Sequence, residues 1–162
     1  MFHEKTGPLT SEDVLQELKG LLAGERDGIA TLANASSLLY LHLDRINWLG
    51  FYVLRAGELV LGPFQGKPAC TRIAVGRGVC GTAFARAETV LVDDVTLFPG
   101  HIACDPASRS EIVVPLFAGG RLIGVLDCDA PEPSRFSAPE RDLLEQAAAI
   151  IGRHLAETGA RV

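Results

Sequence analysis

Apolar positions recur at helical spacing near both ends of the chain and alternate in strand-like fashion between them. Thr10-Ser11 leads into a helical pattern through Val14, Leu15, Leu18 and Leu22. Residues 24–28 break it, and Asp27 is placed to cap a second helix. That helix should bury Ile29, Leu32, Ala33, Ser36, Leu39 and Leu43. Two strands follow, over 46–54 and 58–61, joined by a short turn at 55–57. Residues 63–68 read as loop, 70–75 as a short strand, 79–87 as a short helix and 90–92 as a strand. From 94 to 109 neither period holds. An unpatterned stretch of that length inside a compact domain is usually functional. Strands over 111–117 and 122–129 surround Ala118-Gly119-Gly120. A final helix opens on a capping box, Ser137 with Glu140, and lines its buried face with Leu144, Ala147, Ile151 and Leu155. Helices at both ends of an antiparallel meander, with one helix in mid-chain, predict a single α+β domain over 1–162.

Composition narrows the function. Across 162 residues, 48% hydrophobic and 22% charged content describes a globular chain. A net charge of −5 and the lack of any Lys/Arg cluster argue against nucleic acid as a partner. No apolar run approaches a membrane span. The opening Met1-Phe2-His3-Glu4-Lys5 has no apolar stretch behind it, as a secretion signal would require. Four cysteines in such a chain suit a reducing cytoplasm, where cysteine serves as core filler, metal ligand or redox centre.

One motif misleads. Gly76-Arg77-Gly78-Val79-Cys80-Gly81 fits G-x-G-x-x-G, and Asp93 and Asp94 lie near the distance expected of a ribose-binding acid. The helix–strand alternation of a doubly wound sheet is missing on both sides, so the glycines are expected to serve a tight turn into a helix. The cysteines say more. Cys70 and Cys80 flank that turn, and Cys104 lies in the unpatterned stretch, a poor place for inert filler. His101 and Cys104 with Cys70 and Cys80 would supply four soft metal ligands. Structural zinc sites favour short-spaced pairs, however, and no C-x-x-C occurs, so no metal is expected. Cys128 reads as buried filler.

Three carboxylates complete the candidate chemistry. Asp127 and Asp129 project from one face of a strand, with Cys128 on the other. A three-residue loop at 118–120 would pair Phe117 with Arg121 and Glu111 with Asp127, leaving Ile112, Val114 and Leu116 on a clean apolar side. A two-residue turn would set Glu111 opposite Cys128 and mix the faces. The first register is therefore expected, gathering three acids at one end of a hairpin beside the Cys104 loop. Clustered carboxylates do not all ionise cheaply, so at least one should hold a proton near neutral pH.

These residues resemble the free methionine-(R)-sulfoxide reductase family, which is built on the GAF fold. The likeness runs through Asn47-Trp48-Leu49-Gly50-Phe51-Tyr52, the segment from Gly62 to Cys70, Gly78-Val79-Cys80-Gly81-Thr82-Ala83 and Phe98-Pro99-Gly100-His101-Ile102-Ala103-Cys104-Asp105. It continues in Ser110-Glu111-Ile112-Val113-Val114-Pro115 and Gly124-Val125-Leu126-Asp127. The resemblance implies a GAF-like antiparallel sheet of about six strands flanked by terminal helices, with 94–109 as catalytic loop. It implies Cys104 as nucleophile, Cys70 as principal resolving cysteine and Cys80 in a third redox position. Glu111, Asp127 and Asp129 fall on acids that bind the sulfoxide oxygen, and Trp48 and Tyr52 on aromatic pocket positions. Asp127-Cys128-Asp129-Ala130 departs from the family in having cysteine for an aliphatic and alanine for serine. The implied substrate is free methionine sulfoxide and the implied reductant a thioredoxin-type dithiol, with no cofactor. A homodimer is compatible with it. The rival expectation is a GAF sensor that binds a small ligand without chemistry.

Overall fold

The computed structural model describes residues 8–162. The opening residues that bear on a secretion signal lie outside the described part. The elements in order are α1 (Ser11–Leu22), α2 (Gly28–His42), β1 (Trp48–Arg55), β2 (Glu58–Gly66), β3 (Arg72–Ala74), α3 (Gly78–Arg86), β4 (Val90–Val92), β5 (Ser110–Ala118), β6 (Arg121–Ala130) and α4 (Ala138–Thr158). A single 3-10 turn, Val95–Leu97, follows β4. Helix starts obey local chemistry. Thr10 and Asp13 form a capping box on α1, Asp27 accepts from Ala30 N–H on α2, and Ser137 and Glu140 close a second box on α4. Each such cap contributes about 1 kcal/mol. Gly159, at φ 67°, ends α4 in the left-handed conformation that glycine tolerates.

The six strands form one antiparallel sheet in the order β3-β2-β1-β6-β5-β4. The first and last strands of the meander thus meet at its centre, as β1 pairs with β6. One face carries Leu49, Phe51, Ile112, Val114, Leu126 and Cys128 into a core shared with buried residues of α1, α2 and α4. The other face carries Trp48, Tyr52, Val113 and Val125 against Val79, Cys80 and Ala83 of α3. Among the described residues every strand pair is antiparallel, unlike the parallel sheet of a dinucleotide fold. Among the described residues no helix is long and apolar enough to cross a membrane.

Three local expectations are corrected. Residues 63–66 extend β2 instead of forming a loop, because Leu49 and Trp48 of β1 pair with Gln65 and Gly66. A bulge between Gly50 and Tyr52 keeps that pairing in place past Pro63. Helix α2 and its C-cap bury Leu32, Ser36, Leu39 and Leu43 as expected, but the buried face is wider and turned toward Thr31, Ala35 and Leu38, while Ile29 is 60% exposed. Apolar and small residues cover most of this helix, so its period does not select one stripe. Its buried hydroxyls bond backward, Thr31 to Asp27 O and Ser36 to Ala33 O, which hides their polarity.

The third correction concerns the β5–β6 hairpin. Its turn is the two-residue Gly119-Gly120, both at positive φ, with Ala118 opposite Arg121 and Phe117 opposite Leu122. The register then shifts between Leu116 and Phe117, leaving Leu116 opposite Gly124. Ile123 is the extra residue. Glu111 consequently faces Asp129, not Asp127, and Ile112 faces Cys128. The expected pairing and the observed one differ by two positions, so both put the same residues on the same face. Hydrophobic alternation reports parity alone and cannot separate them.

Candidate active site

The pocket lies on the α3 side of the sheet and its floor is built by alternation. β6 turns Asp127 and Asp129 toward α3, with Asp127 buried and Asp129 half-buried. β5 adds Glu111, buried at 6% exposure beside Asp129's strand position. From the opposite side comes Cys80, in the first turn of α3, whose thiol approaches Glu111 Oε1 at 3.9 Å. The wall is aromatic: Trp48 stacks on Tyr52 at 5.9 Å between centroids and on Phe64 at 5.2 Å. Open space of about 530 Å³, part of it solvent at the mouth, lies between these groups.

Both aromatic residues are tethered to the same segment. Trp48 Nε1 donates to Lys67 O at 3.1 Å, and the Tyr52 hydroxyl donates to Cys70 O at 2.9 Å. Cys70 is therefore held at the rim by the wall itself. Cys104 reaches it from the other side of the mouth, and the two form a disulfide with Cα atoms 5.5 Å apart. Cys80 and Cys128 are free, buried thiols, Cys80 in the pocket layer and Cys128 in the core beneath the other face.

The stretch that carries Cys104 lacks a repeating hydrogen-bond ladder and is tied at chosen points. Val95 N bonds Arg109 O, and Arg109 N bonds Ala130 O, both at 2.8 Å, which ties its two ends to each other and to β6. Asp105 accepts from Ala107 N in a tight turn. Asn47 then donates from one amide nitrogen to Asp105 Oδ2 at 3.0 Å and to Ser108 Oγ at 3.1 Å. Ile102 lies 3.2 Å from where a Cβ on Gly78 would stand, and Gly78 itself has φ 61°. Glycine there satisfies both the backbone conformation and the close approach of the loop.

Electrostatics follow from burial. Removal from water raises the Glu111 carboxyl well above its ordinary range, and the neighbouring Asp127 and Asp129 charges add to this. Burial likewise pushes Asp127 up to about 6, against the pull of hydrogen-bonding neighbours Glu111 and Cys80. Asp129 is raised by burial, then by Asp127 and Asp105. Burial and the same carboxylates lift the Cys80 thiol, outweighing the helix N-terminus that would otherwise favour its thiolate. The floor is therefore biased as a whole toward its protonated forms. His101 Nε2 stands 3.9 Å from Glu111 Oε2, and partial burial holds that imidazole below its usual pKa.

Of the expected site residues, Trp48, Tyr52, Cys80, Cys104, Glu111, Asp127 and Asp129 line this one pocket, and Cys70 reaches it through its disulfide. Cys70 and Cys104 are disulfide-bonded, so the four-ligand metal set suggested by spacing does not assemble. From the sequence, Asn47, Asp105, Ser108 and Phe64 are not expected as site residues, and His101 is weighed only as a metal ligand. Asn47, His101 and Asp105 sit inside the resembling motifs, but only the fold reveals that Asn47 on one strand entry anchors a loop about sixty residues away.

This architecture defines a class: a one-sheet α+β domain of GAF type whose ligand pocket is bordered by a disulfide. A GAF domain profile matches residues 9–155. Free methionine-R-sulfoxide reductase of Escherichia coli is 53% identical over 146 residues, covering 90% of this chain and 88% of that protein. The Saccharomyces cerevisiae protein of the same name is 44% identical over 158 residues, with 90% and 87% covered. The solved structure of the Neisseria meningitidis reductase in complex with its substrate superposes with a TM-score of 0.88 at 43% identity, covering 98% and 95%. The chain belongs to the free methionine-R-sulfoxide reductase family, within the GAF domain proteins.

Proposed function

We propose that this chain, as a single domain, reduces free L-methionine (R)-sulfoxide to methionine. One observation carries the reading: a Cys70–Cys104 disulfide stands over a pocket floored by three carboxyls that burial keeps from ionising together. The Neisseria relative was solved with its substrate on the same fold, which supports this pocket as the substrate site.

In this scheme the sulfoxide oxygen is received by Glu111, Asp127 and Asp129, while Trp48 and Tyr52 wall the rest of the substrate. The reduced Cys104 thiolate attacks the sulfoxide sulfur, and a proton held by the acids passes to the oxygen. The S–O bond breaks as that oxygen passes to Cys104, leaving a sulfenic acid and releasing methionine. The Cys70 thiol attacks the sulfenic sulfur; its proton leaves with the hydroxyl as water, and the disulfide forms. A thioredoxin-type dithiol reopens the disulfide by exchange and is itself oxidised. Cys80, protonated and beneath the acids, stands outside this relay and tunes the floor. The cycle suits a reducing cytoplasm, and a homodimer is compatible with it because all its groups lie within one chain.

The test is direct. The purified protein is incubated with each epimer of free methionine sulfoxide, first alone and then with thioredoxin and its reductase. The R epimer should yield methionine and close the Cys70–Cys104 disulfide, with turnover only when the dithiol is present. No methionine from either epimer would leave the sensor alternative, which forms no disulfide in response to sulfoxide.

A further inference from the structure

The pocket floor is not simply acidic. One ligand atom from each of Cys80, Glu111 and Asp127 lies within 4.8 Å of the other two, and all three residues are buried. The thiol meets one oxygen of Glu111 at 3.9 Å, and His101 Nε2 meets the other at the same distance. A separate observation points to something absent from this group. Asp127 Oδ1 is wholly buried and no fixed donor of the protein reaches it; the hydrogens available to this carboxyl are the titratable protons of Glu111 and Cys80 beside it. A buried oxygen that depends on the protons of neighbouring ligating groups marks a position where an electropositive guest can take their place.

We propose that Cys80, Glu111 and Asp127 form a binding site for a zinc-class divalent cation, whose occupancy shuts the pocket to substrate. A thiolate with carboxylates, and an imidazole within reach, is the donor set of a borderline-soft ion. Magnesium and calcium favour shells made of oxygen and are poorly served by it. Donors about 2.0–2.3 Å from a tetrahedral ion stand about 3.3–3.8 Å apart, so the observed spacing needs a contraction of up to about 1.5 Å. Binding releases the Cys80 proton to solvent, and the ion's charge then offsets the buried carboxylates.

The set excludes Cys70 and Cys104. It therefore survives when those two are joined, unlike the four-ligand arrangement suggested by sequence spacing. The ion would stand where the sulfoxide oxygen is received, which makes it an inhibitor. That inhibitory half rests on the proposed function, whereas the binding half does not.

The experiment begins with full-length protein oxidised to the Cys70–Cys104 disulfide. Cobalt(II) is titrated as a spectroscopic probe, and zinc is then measured in competition with a chromophoric chelator. One equivalent of cobalt should bind with a thiolate-to-metal charge-transfer band, and zinc should displace it. Cys80→Ser should remove the band, and both it and Asp127→Asn should weaken zinc tenfold or more; Cys128→Val should change neither. A missing band in the oxidised wild type, or a zinc affinity unmoved by both Cys80→Ser and Asp127→Asn, overturns the site. Competition is read in a Cys70→Ser, Cys104→Ser double variant, which has no outer thiols and cannot turn over. Free methionine (R)-sulfoxide should raise the zinc concentration needed for half-saturation there, and no such shift overturns the inhibitory half. Stoichiometric cobalt binding in a protein that yields no methionine would sink the proposed reduction and leave the metal site standing.

Discussion

The two faces of the sheet bury similar groups to opposite ends. β6 sends Leu126, Cys128 and Ala130 into the core under α1, α2 and α4, and sends Asp127 and Asp129 into the pocket under α3. Cys128 and Cys80 are both free, both buried, and both pushed toward the neutral thiol by desolvation. What separates them is company. Cys128 is surrounded by hydrocarbon that needs nothing from it, whereas Cys80 shares its space with carboxyls that compete for protons. Burial alone does not define a site; burial of groups that cannot all be satisfied does.

Breaking the pocket face should have the largest effect at Cys104. Cys104→Ser should abolish methionine formation, since a hydroxyl at neutral pH is no nucleophile toward sulfoxide sulfur. Wild-type-like turnover would move the chemistry to another thiol. Cys70→Ser should next release about one methionine per chain in a burst and then stall, with a sulfenic acid on Cys104 that dimedone labels. Undiminished steady turnover with thioredoxin would assign resolution to Cys80 or an external thiol.

The acids should come third. Glu111→Gln and Asp127→Asn should each slow turnover by about 10²-fold, because an amide can hydrogen-bond the oxygen but not protonate it. The same changes remove negative charge facing Cys104, so its alkylation by iodoacetamide at neutral pH should quicken. Slower alkylation in both would mean that the carboxylates activate the thiol as bases. Stability should move the other way from rate. Asp127 has its pKa raised from 3.8 to about 6 in the folded protein. Its contribution is thus full below about pH 4 and is lost as pH rises through about 6. At pH 8, Asp127→Asn should therefore stabilise the fold, by up to about 3 kcal/mol. A lower Tm than wild type at that pH would show that the charged aspartate is well satisfied.

The smallest effect sharpens the contrast from the dry side. Cys128→Val should leave turnover unchanged and shift stability by less than about 1.5 kcal/mol, as volume-conserving swaps in a packed core do. A large loss of rate without loss of stability would connect the two faces through β6.

Much of this contrast was legible in the chain. Alternation along β5 and β6 separated Glu111, Asp127 and Asp129 from Ile112, Val114 and Cys128, and capping residues marked all three long helices. Two kinds of information were missing. Register beyond parity was hidden, because the extra residue at Ile123 is an ordinary aliphatic in an apolar run. Long-range anchoring was hidden too: Asn47 carries no local sign that its amide holds Asp105 and Ser108. The face of α2 was ambiguous for a third reason, since its small and weakly polar residues are spread around the helix and leave no strongly polar side to exclude.

The Cys70–Cys104 bond closes a segment of 34 residues that contains β3, α3 and β4. Tying a loop of that length removes freedom from the unfolded chain and is worth about 4 kcal/mol on the chain-entropy account. A catalyst using this bond as its spent state would be sturdier after each reaction than before it. When reductant runs short, molecules would accumulate in the form most resistant to heat and proteases, waiting intact. Recovery of electrons, not resynthesis of protein, would then set how quickly activity returns once oxidative stress passes.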